Sequence, residues 1–132
     1  MLHRANRYGR MKDYLQRVHD ELCVLVQIES RAAWQEIEAI AAVDGVDGLF
    51  IGPSDLSAAL GHLGNPDHPE VRAAIEDAGQ RIRKAGKAAG ILAPVEADAR
   101  HWLKQGYTVV AVGSDLSVLA RGTEALAAKF KP

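Results

Sequence analysis

Two carboxylates in this 132-residue chain, Glu29 and Asp55, each come after an apolar run that is typical of a buried strand. If those strands are neighbours in a parallel sheet, the two carboxylates meet at its carboxyl edge. At close range they repel each other unless a cation lies between them or one of them is protonated. Oxygen-only ligation favours Mg²⁺ or Mn²⁺. The alternative is that Glu29 is an acid of a helix first turn and Asp55 an N-cap.

Two further features accompany these acids. Gln27 lies two positions before Glu29 and therefore faces the same side of the strand. Its amide needs a hydrogen-bond partner, which is either a group in the core or a ligand. The segment Gly52-Pro53-Ser54-Asp55 predicts a turn at a helix start, where backbone N–H groups suit a carboxylate or a phosphate.

The other chemically active side chains are predicted to have no role in catalysis. His62 and His68 lie in a Gly/Asn/Pro-rich loop and are expected to be solvated. Cys23 begins an apolar strand and is expected in the core, and a single cysteine excludes an intrachain disulfide or a multi-cysteine metal site. Trp34 and Trp102 occupy the apolar stripes of helices, which predicts a packing role.

The elements that must position these residues alternate between helical and strand periodicity. A leading helix carries an apolar face of Met11, Tyr14, Leu15, Val18 and Leu22. Strands are predicted over residues 23–28, 46–51, 87–92 and 107–112, each followed by a helix. The last helix is expected to face the core with Leu119, Thr123, Leu126, Ala127 and Phe130.

This order, one helix and then four βα units, predicts a single α/β domain over residues 1–132 with a parallel sheet covered by helices. Two architectures fit four such strands: a small open doubly wound sheet, or half of an eight-stranded barrel. A complete barrel needs about 250 residues, so this chain cannot close one alone.

Composition narrows the class of partner. Lys and Arg total 16 and Asp and Glu total 17, so the net charge is −1 and there is no basic excess for nucleic acid or a membrane surface. No apolar run approaches the roughly 20 residues that span a bilayer. The charged start lacks the apolar region of a secretory signal, so a cytoplasmic location is expected.

Several motifs resemble one family, the HpcH/HpaI aldolases, which are metal-dependent class II pyruvate aldolases. They are VLVQIES at 24–30, GVDGLFIGPSDLS at 45–57, GNP at 64–66, HPEV at 68–71, GKAAGIL at 86–92, VAVGSD at 110–115 and RANRYG at 4–9. The resemblance covers essentially the whole chain.

The resemblance implies the second half of a TIM (β/α)₈ barrel, strands five to eight. It implies cleavage of 4-hydroxy-2-oxo acids from aromatic or sugar acid catabolism to pyruvate and an aldehyde. Glu29 and Asp55 match the metal ligands for Mg²⁺, Mn²⁺ or Co²⁺. Gln27 and Ser54 match positions that contact substrate, and Leu92 matches an apolar position near the aldehyde. A homo-oligomer is also expected.

No residue here matches the family's histidine base, the acid that supports it, or its arginine, which belong to the first half of the barrel. We therefore identify no catalytic residue and expect weak metal-dependent activity at most. The alternatives are a catalytically inactive half-barrel remnant and a citrate-lyase-type CoA-ester lyase. The Gly52-to-Leu56 stretch resembles the aldolases more closely than the citrate lyases.

Overall fold

The computed structural model describes residues 3–131 as a parallel sheet whose strands alternate with helices. The strands are β1 (Leu25–Ile28), β2 (Gly48–Ile51), β3 (Ala88–Leu92) and β4 (Val109–Ala111). The helices are α1 (Tyr14–Glu21), α2 (Arg31–Gln35), α3 (Ile37–Ala41), α4 (Pro53–Ala59), α5 (Pro69–Lys84), α6 (Glu96–Lys104) and α7 (Asp115–Ala128). The prediction that the start of the chain is not a secretory signal involves Met1 and Leu2, which lie outside the described residues. Pro132 also lies outside them.

The strand order decides between the two architectures that the sequence left open. The order is β1-β2-β3-β4, with every neighbouring pair parallel. In a doubly wound sheet the order in which successive strands are added reverses at a switch point. In a barrel sheet each new strand is added beside the previous one. The predicted α/β class is confirmed, and the sequential order is that of a barrel sheet.

The two faces of the sheet differ in solvent exposure. One face packs under the helices, and Ile28, Leu49, Ile51, Ala89 and Ile91 on it are all 0% exposed. On the other face Leu25, Leu92 and Val109 remain 36%, 42% and 36% exposed. Because successive strand residues point to opposite faces, the open face also carries Gln27.

Local signals place most helix boundaries as the sequence predicts. Ser30 caps α2 by accepting a hydrogen bond from the Ala33 N–H at 3.1 Å. Pro69 begins α5, and Gly86 follows that helix with φ +76°. The predicted helix start at Gly52 is confirmed, because Gly52 is the N-cap residue of α4 and Pro53 occupies the first helical position.

A break at Glu36 divides the predicted second helix into α2 and α3. The Arg81 side chain of α5 donates to the carbonyls of Trp34 and Gln35 at 2.9 and 3.0 Å. It also binds the Glu38 carboxylate, and this hydrogen bond lowers the pKa of Glu38 to about 2. Arg81 therefore fastens the broken segment to the central helix.

Two predictions about the core are wrong. Cys23 is exposed, because β1 begins only at Leu25. Helix α7 buries no residue, and its Leu119 and Leu126, like Phe130 just beyond it, are 66%, 57% and 82% exposed. The reason is that β4 is an edge strand, so no further strand of the described chain offers α7 a surface. Thr123 and Ala127, also predicted to face inward, are exposed as well.

The leading helix α1 likewise buries no residue, and Leu15 is 66% exposed. Within residues 3–131, no helix combines the length and the apolar character that crossing a membrane requires.

Candidate metal-binding site

The carboxyl edge of β1 and β2 brings Gln27, Glu29 and Gly52 together. Gln27 pairs with Phe50 and Ile28 with Ile51, so Glu29 comes level with Gly52. Gln27 Nε2 donates to Glu29 Oε2 at 2.6 Å. A Cβ on Gly52 would lie 2.9 Å from Glu29 Oε2 and 3.2 Å from Gln27 Nε2. The missing side chain at Gly52 is therefore what leaves room for the Glu29 carboxylate.

Helix α4 presents Ser54 and Asp55 on its exposed first turn. Leu56 and Ser57 behind them are 0% exposed, and the Ser57 hydroxyl donates to the Ser54 carbonyl at 2.7 Å. These buried residues anchor the helix and leave both predicted site residues facing solvent. Among residues 3–131, the Asp55 carboxylate has neither a hydrogen-bond donor nor an ion-pair partner.

The donor set fits a hard divalent cation. Glu29 receives one neutral amide donor and no cationic partner from residues 3–131. Asp55 follows the adjacent strand at the same edge of the sheet. Carboxylate and amide oxygens without a cationic partner are the ligands that Mg²⁺ and Mn²⁺ prefer.

A cleft next to α4 contains two more of the predicted residues. It has a volume of about 200 Å³, and Ser54 and Leu92 both line it. Arg72 lies in this cleft with its guanidinium 3.2 Å from Asp67 and 3.1 Å from Asp98, and 5.0 Å from the centre of the Trp102 ring. These two acids neutralise Arg72, so the cleft has no excess positive charge.

Four of the five predicted site residues thus fall into two groups. Gln27 and Glu29 are in direct contact at the strand edge, while Ser54 and Leu92 share the cleft. Asp55 adjoins Ser54 on α4 but does not line the cleft.

A second cluster of metal-binding residue types was missed by the sequence reasoning, which placed His62 and His68 in solvent. Their rings are stacked, with centroids 3.5 Å apart, and His62 Nε2 lies 2.8 Å from Glu70 Oε2. The hydrogen bond with His62 lowers the pKa of Glu70. In the sequence, this cluster was indicated only by the short spacing of His62, His68 and Glu70, which lie in one loop and at the start of the next helix.

Comparison with known proteins matches residues 3–122 to the family model described as HpcH/HpaI aldolase/citrate lyase. A 4-hydroxy-2-oxo-heptane-1,7-dioate aldolase of Klebsiella pneumoniae is 59% identical over 129 residues, which are 98% of this chain and 49% of that protein. A 5-keto-4-deoxy-D-glucarate aldolase of Enterobacter sp. strain 638 is 55% identical over 98% of this chain and 50% of its own length.

Solved structures of the same family superpose on this chain. A HpcH/HpaI aldolase/citrate lyase family protein from Burkholderia cenocepacia superposes with a TM-score of 0.86 and 41% identity, covering 97% of this chain and 50% of that one. A HpcH/HpaI aldolase from Desulfitobacterium hafniense gives 0.74 and 29%, covering 92% of this chain and 48% of its own. The chain spans about half the length of the relatives it matches.

Proposed function

Because the chain belongs to the HpcH/HpaI aldolase/citrate lyase family, we propose that it supplies the metal- and 2-keto-acid-binding part of a class II aldolase. The proposed reaction is the reversible cleavage of 4-hydroxy-2-oxo acids to pyruvate and an aldehyde. In this proposal, residues 1–132 form one domain, which consists of a leading helix and four βα units. It includes assembly into a homo-oligomer and neither a nucleic-acid nor a membrane partner.

The observation that carries the proposal is the Glu29 carboxylate, which lies against Gly52 at the carboxyl edge of β1 and β2. In parallel α/β sheets this edge is where substrates bind. Glu29 and Asp55 come from neighbouring strand ends, and neither has a cationic partner among the described residues.

Glu29 and Asp55 are the proposed ligands of one divalent ion, Mg²⁺, Mn²⁺ or Co²⁺. When bound, such an ion acts as a Lewis acid that stabilises negative charge developing on the keto oxygen of the substrate. Gln27 orients Glu29 by donating to its Oε2, and it is also a proposed substrate contact on the open face of the sheet.

Ser54 and Leu92 are the proposed substrate contacts in the cleft. Ser54 offers a hydroxyl on the exposed first turn of α4, suited to an oxygen of the 2-keto acid. Leu92, 42% exposed at the end of β3, offers an apolar wall for the aldehyde portion.

No proton transfer is assigned to a residue of this chain. General acid–base catalysis is typically worth about 10²- to 10⁴-fold, and the family's histidine and arginine have no match here. We therefore expect slow metal-dependent decarboxylation of oxaloacetate as the largest activity of this chain alone. Restored aldol cleavage is expected if a polypeptide carrying the other half of the site is added.

The family description also includes citrate lyases. The relatives at 59% and 55% identity have aldolase names, which supports the aldolase over a CoA-ester lyase. A catalytically inactive half-barrel would also lack turnover, but it gives no reason for two carboxylates that follow neighbouring strands at the carboxyl edge of the sheet.

Calorimetric titration of Mn²⁺, with and without pyruvate or oxalate, tests the proposal. We expect one Mn²⁺ site whose affinity rises with oxalate, and loss of that site in Glu29→Gln and Asp55→Asn. Glu96→Gln is the matched control, because Glu96 also lies in the first turn of a helix that follows a strand. Unchanged Mn²⁺ binding in Asp55→Asn would overturn the ligand assignment, and absence of binding in the unaltered chain would favour the inactive remnant.

A further inference from the structure

The loop between α4 and α5 has a defined backbone that points two histidines at each other. Gly61 and Gly64 adopt φ +92° and +76°, values that glycine tolerates and that turn the chain back on itself. The His62 N–H donates to the Ser57 carbonyl at 2.8 Å, and the Asn65 N–H donates to the His62 carbonyl at 2.9 Å. These bonds hold His62 against α4 before any ligand binds.

Three side chains converge at this loop. His62 Nε2 lies 2.8 Å from Glu70 Oε2, and the His68 ring stacks on His62 with an angle of 14° between their planes. One potential ligand atom from each of the three residues lies within 4.8 Å of the others. The His62 side chain is only 23% exposed, whereas that of Glu70 is 57% exposed, so the cluster opens to solvent on the Glu70 side.

We propose that His62, His68 and Glu70 form a second metal site, for Zn²⁺ or a similar borderline transition-metal ion. Two imidazoles and one carboxylate are a known zinc donor set, and they leave a fourth position for water. Such nitrogen-rich ligation distinguishes this site from the oxygen-only ligands Glu29 and Asp55. The proposal does not depend on the proposed lyase function.

The distances allow one ion with small side-chain movements. Donors bound about 2.1 Å from a tetrahedral ion lie about 3.4 Å apart. The 2.8 Å distance between His62 Nε2 and Glu70 Oε2 is shorter than this. The 4.8 Å within which the ligand atoms of all three residues lie is longer. Binding therefore separates His62 from Glu70 slightly. It also increases the angle between the two imidazole planes, so that the nitrogen lone pairs of His62 and His68 point at the same ion.

Binding has an identifiable local cost at His68. His68 Nδ1 accepts a hydrogen bond from the Glu70 N–H at 3.3 Å and so caps α5. An ion on Nδ1 displaces that bond, and an ion on Nε2 requires the proton of the ring to move to Nδ1. Either way the weak cap is exchanged for a metal bond.

The consequence of binding is a fixed wall of the cleft. Pro66 and Asp67 line the cleft and lie between the two histidines in the loop. A metal that joins His62 to His68 and Glu70 closes this loop at both ends. The role assigned to the ion is therefore structural, holding the Pro66–Asp67 wall in place.

Zinc titration of the chain without a histidine tag, in excess Mg²⁺ to occupy the oxygen-only ligands, tests the proposal. Loss of an outer partner of a metal ligand already costs about 10- to 100-fold in affinity, so loss of a ligand should cost at least tenfold. We expect one Zn²⁺ per chain, with at least tenfold weaker binding in His62→Gln and in Glu70→Gln. Co²⁺ should show the visible absorption bands of a tetrahedral site, and these bands should vanish in both variants.

The matched control is a second His–Glu pair among residues 3–131, His101 and Glu76. Their Nε2 and Oε1 atoms are 3.5 Å apart, and the pair lies outside the cluster. His101→Gln should bind Zn²⁺ as the unaltered chain does. Circular dichroism establishes that each variant is folded, and His68→Gln provides an independent loss of one ligand. Zinc affinity that is unchanged in His62→Gln, or equally weakened in His101→Gln, would overturn the proposal, as would no Zn²⁺ binding at all.

Discussion

The hydrogen bond from Gln27 to Glu29 explains why an amide side chain occurs within an apolar strand. The sequence left two partners open for Gln27, a core group or a ligand. In the structure its Nε2 donates to the adjacent carboxylate on the open face, and a contact with substrate stays a prediction. The bond holds one carboxylate oxygen while the rest of the group faces solvent. The residue with no side chain, Gly52, makes this arrangement possible.

Gly52→Ala should therefore weaken metal binding without unfolding the chain. The new Cβ would lie 2.9 Å from Glu29 Oε2, so the carboxylate must move, while φ −97° at this position suits alanine. We expect a clear loss of Mn²⁺ affinity by calorimetry, with a thermal midpoint close to that of the unaltered chain.

Gly113→Ala is the matched control for this substitution. Gly113 follows β4 at the same edge of the sheet, and an added Cβ there meets nothing within 4 Å. Mn²⁺ affinities that are equal in Gly52→Ala and Gly113→Ala would contradict the account of the Glu29 pocket.

At the scale of elements, α5 organises the described fold. It packs against α3, α4, β2 and β3. Tyr107, which is 2% exposed, reaches it through a hydrogen bond from its hydroxyl to the Ile75 carbonyl at 2.6 Å. Burial raises the pKa of Tyr107, so its hydroxyl remains a donor at neutral pH.

Gly79→Ala should destabilise the chain although alanine is the better helix former. An added Cβ would lie 2.6 Å from Tyr107 Cε2, and a buried ring has little freedom to move. Overpacking of this kind costs about 1–3 kcal/mol, which exceeds the gain of up to about 1 kcal/mol in helix propensity. Urea denaturation measures the free energy of unfolding.

Gly122→Ala in α7 provides the opposite expectation. Nothing lies within 4 Å of a Cβ at that position, so only the propensity gain remains. The two substitutions should change the free energy of unfolding in opposite directions. A stabilised Gly79→Ala variant would show that Tyr107 does not depend on the gap at Gly79.

The ion pair between Glu38 and Arg81 should give a pH-dependent contribution to stability. The hydrogen bond from Arg81 lowers the pKa of Glu38 from 4.5 to about 2 in the folded chain. A lowered folded pKa means that the contribution is complete above the unfolded pKa and is lost as the pH falls through the folded one. We expect Glu38→Gln to lower the thermal midpoint at pH 7, with the difference shrinking from about pH 4.5 downward.

Glu124→Gln is the control for that measurement, because Glu124 forms an exposed pair with Arg121 on α7. Exposed pairs within one helix contribute little, so its thermal midpoint should stay near that of the unaltered chain at every pH. A Glu38→Gln difference that grows toward acid pH would contradict the sign argued here.

The whole molecule leaves two sheet edges and one sheet face uncovered by residues 3–131. Strands β1 and β4 each have one neighbour, and Leu25, Leu92 and Val109 are exposed on the open face. Unpaired edges and apolar faces favour pairing with another chain. This arrangement supports the expectation of a homo-oligomer.

Light scattering at micromolar concentration should therefore show self-association that increases with protein concentration. Val109→Lys places a charge on the edge strand and the open face and should reduce association. Val43→Lys is the control, because Val43 is 54% exposed but lies in the turn after α3. A compact monomer at all concentrations would contradict this prediction.

Local sequence patterns alone predicted the fold class and several helix boundaries of this chain. The alternation of helices with apolar strands predicted the parallel α/β sheet, because continuous apolar runs and amphipathic periods are properties of short segments. Ser30, Pro69 and Gly86 marked helix ends, because capping and positive φ depend on neighbouring residues only. The positions of Glu29 and Asp55 just after two consecutive strands of the chain followed from the same periods.

Only the tertiary structure decided what depends on which elements become neighbours. Strand order separated the barrel sheet from the doubly wound sheet, and the edge position of β4 left α7 exposed. The stack of His62 on His68 required the turns at Gly61 and Gly64, which bring side chains together that the sequence places in an open loop. Such contacts arise from chain reversal and packing between elements, which the periodicity of a single segment does not encode.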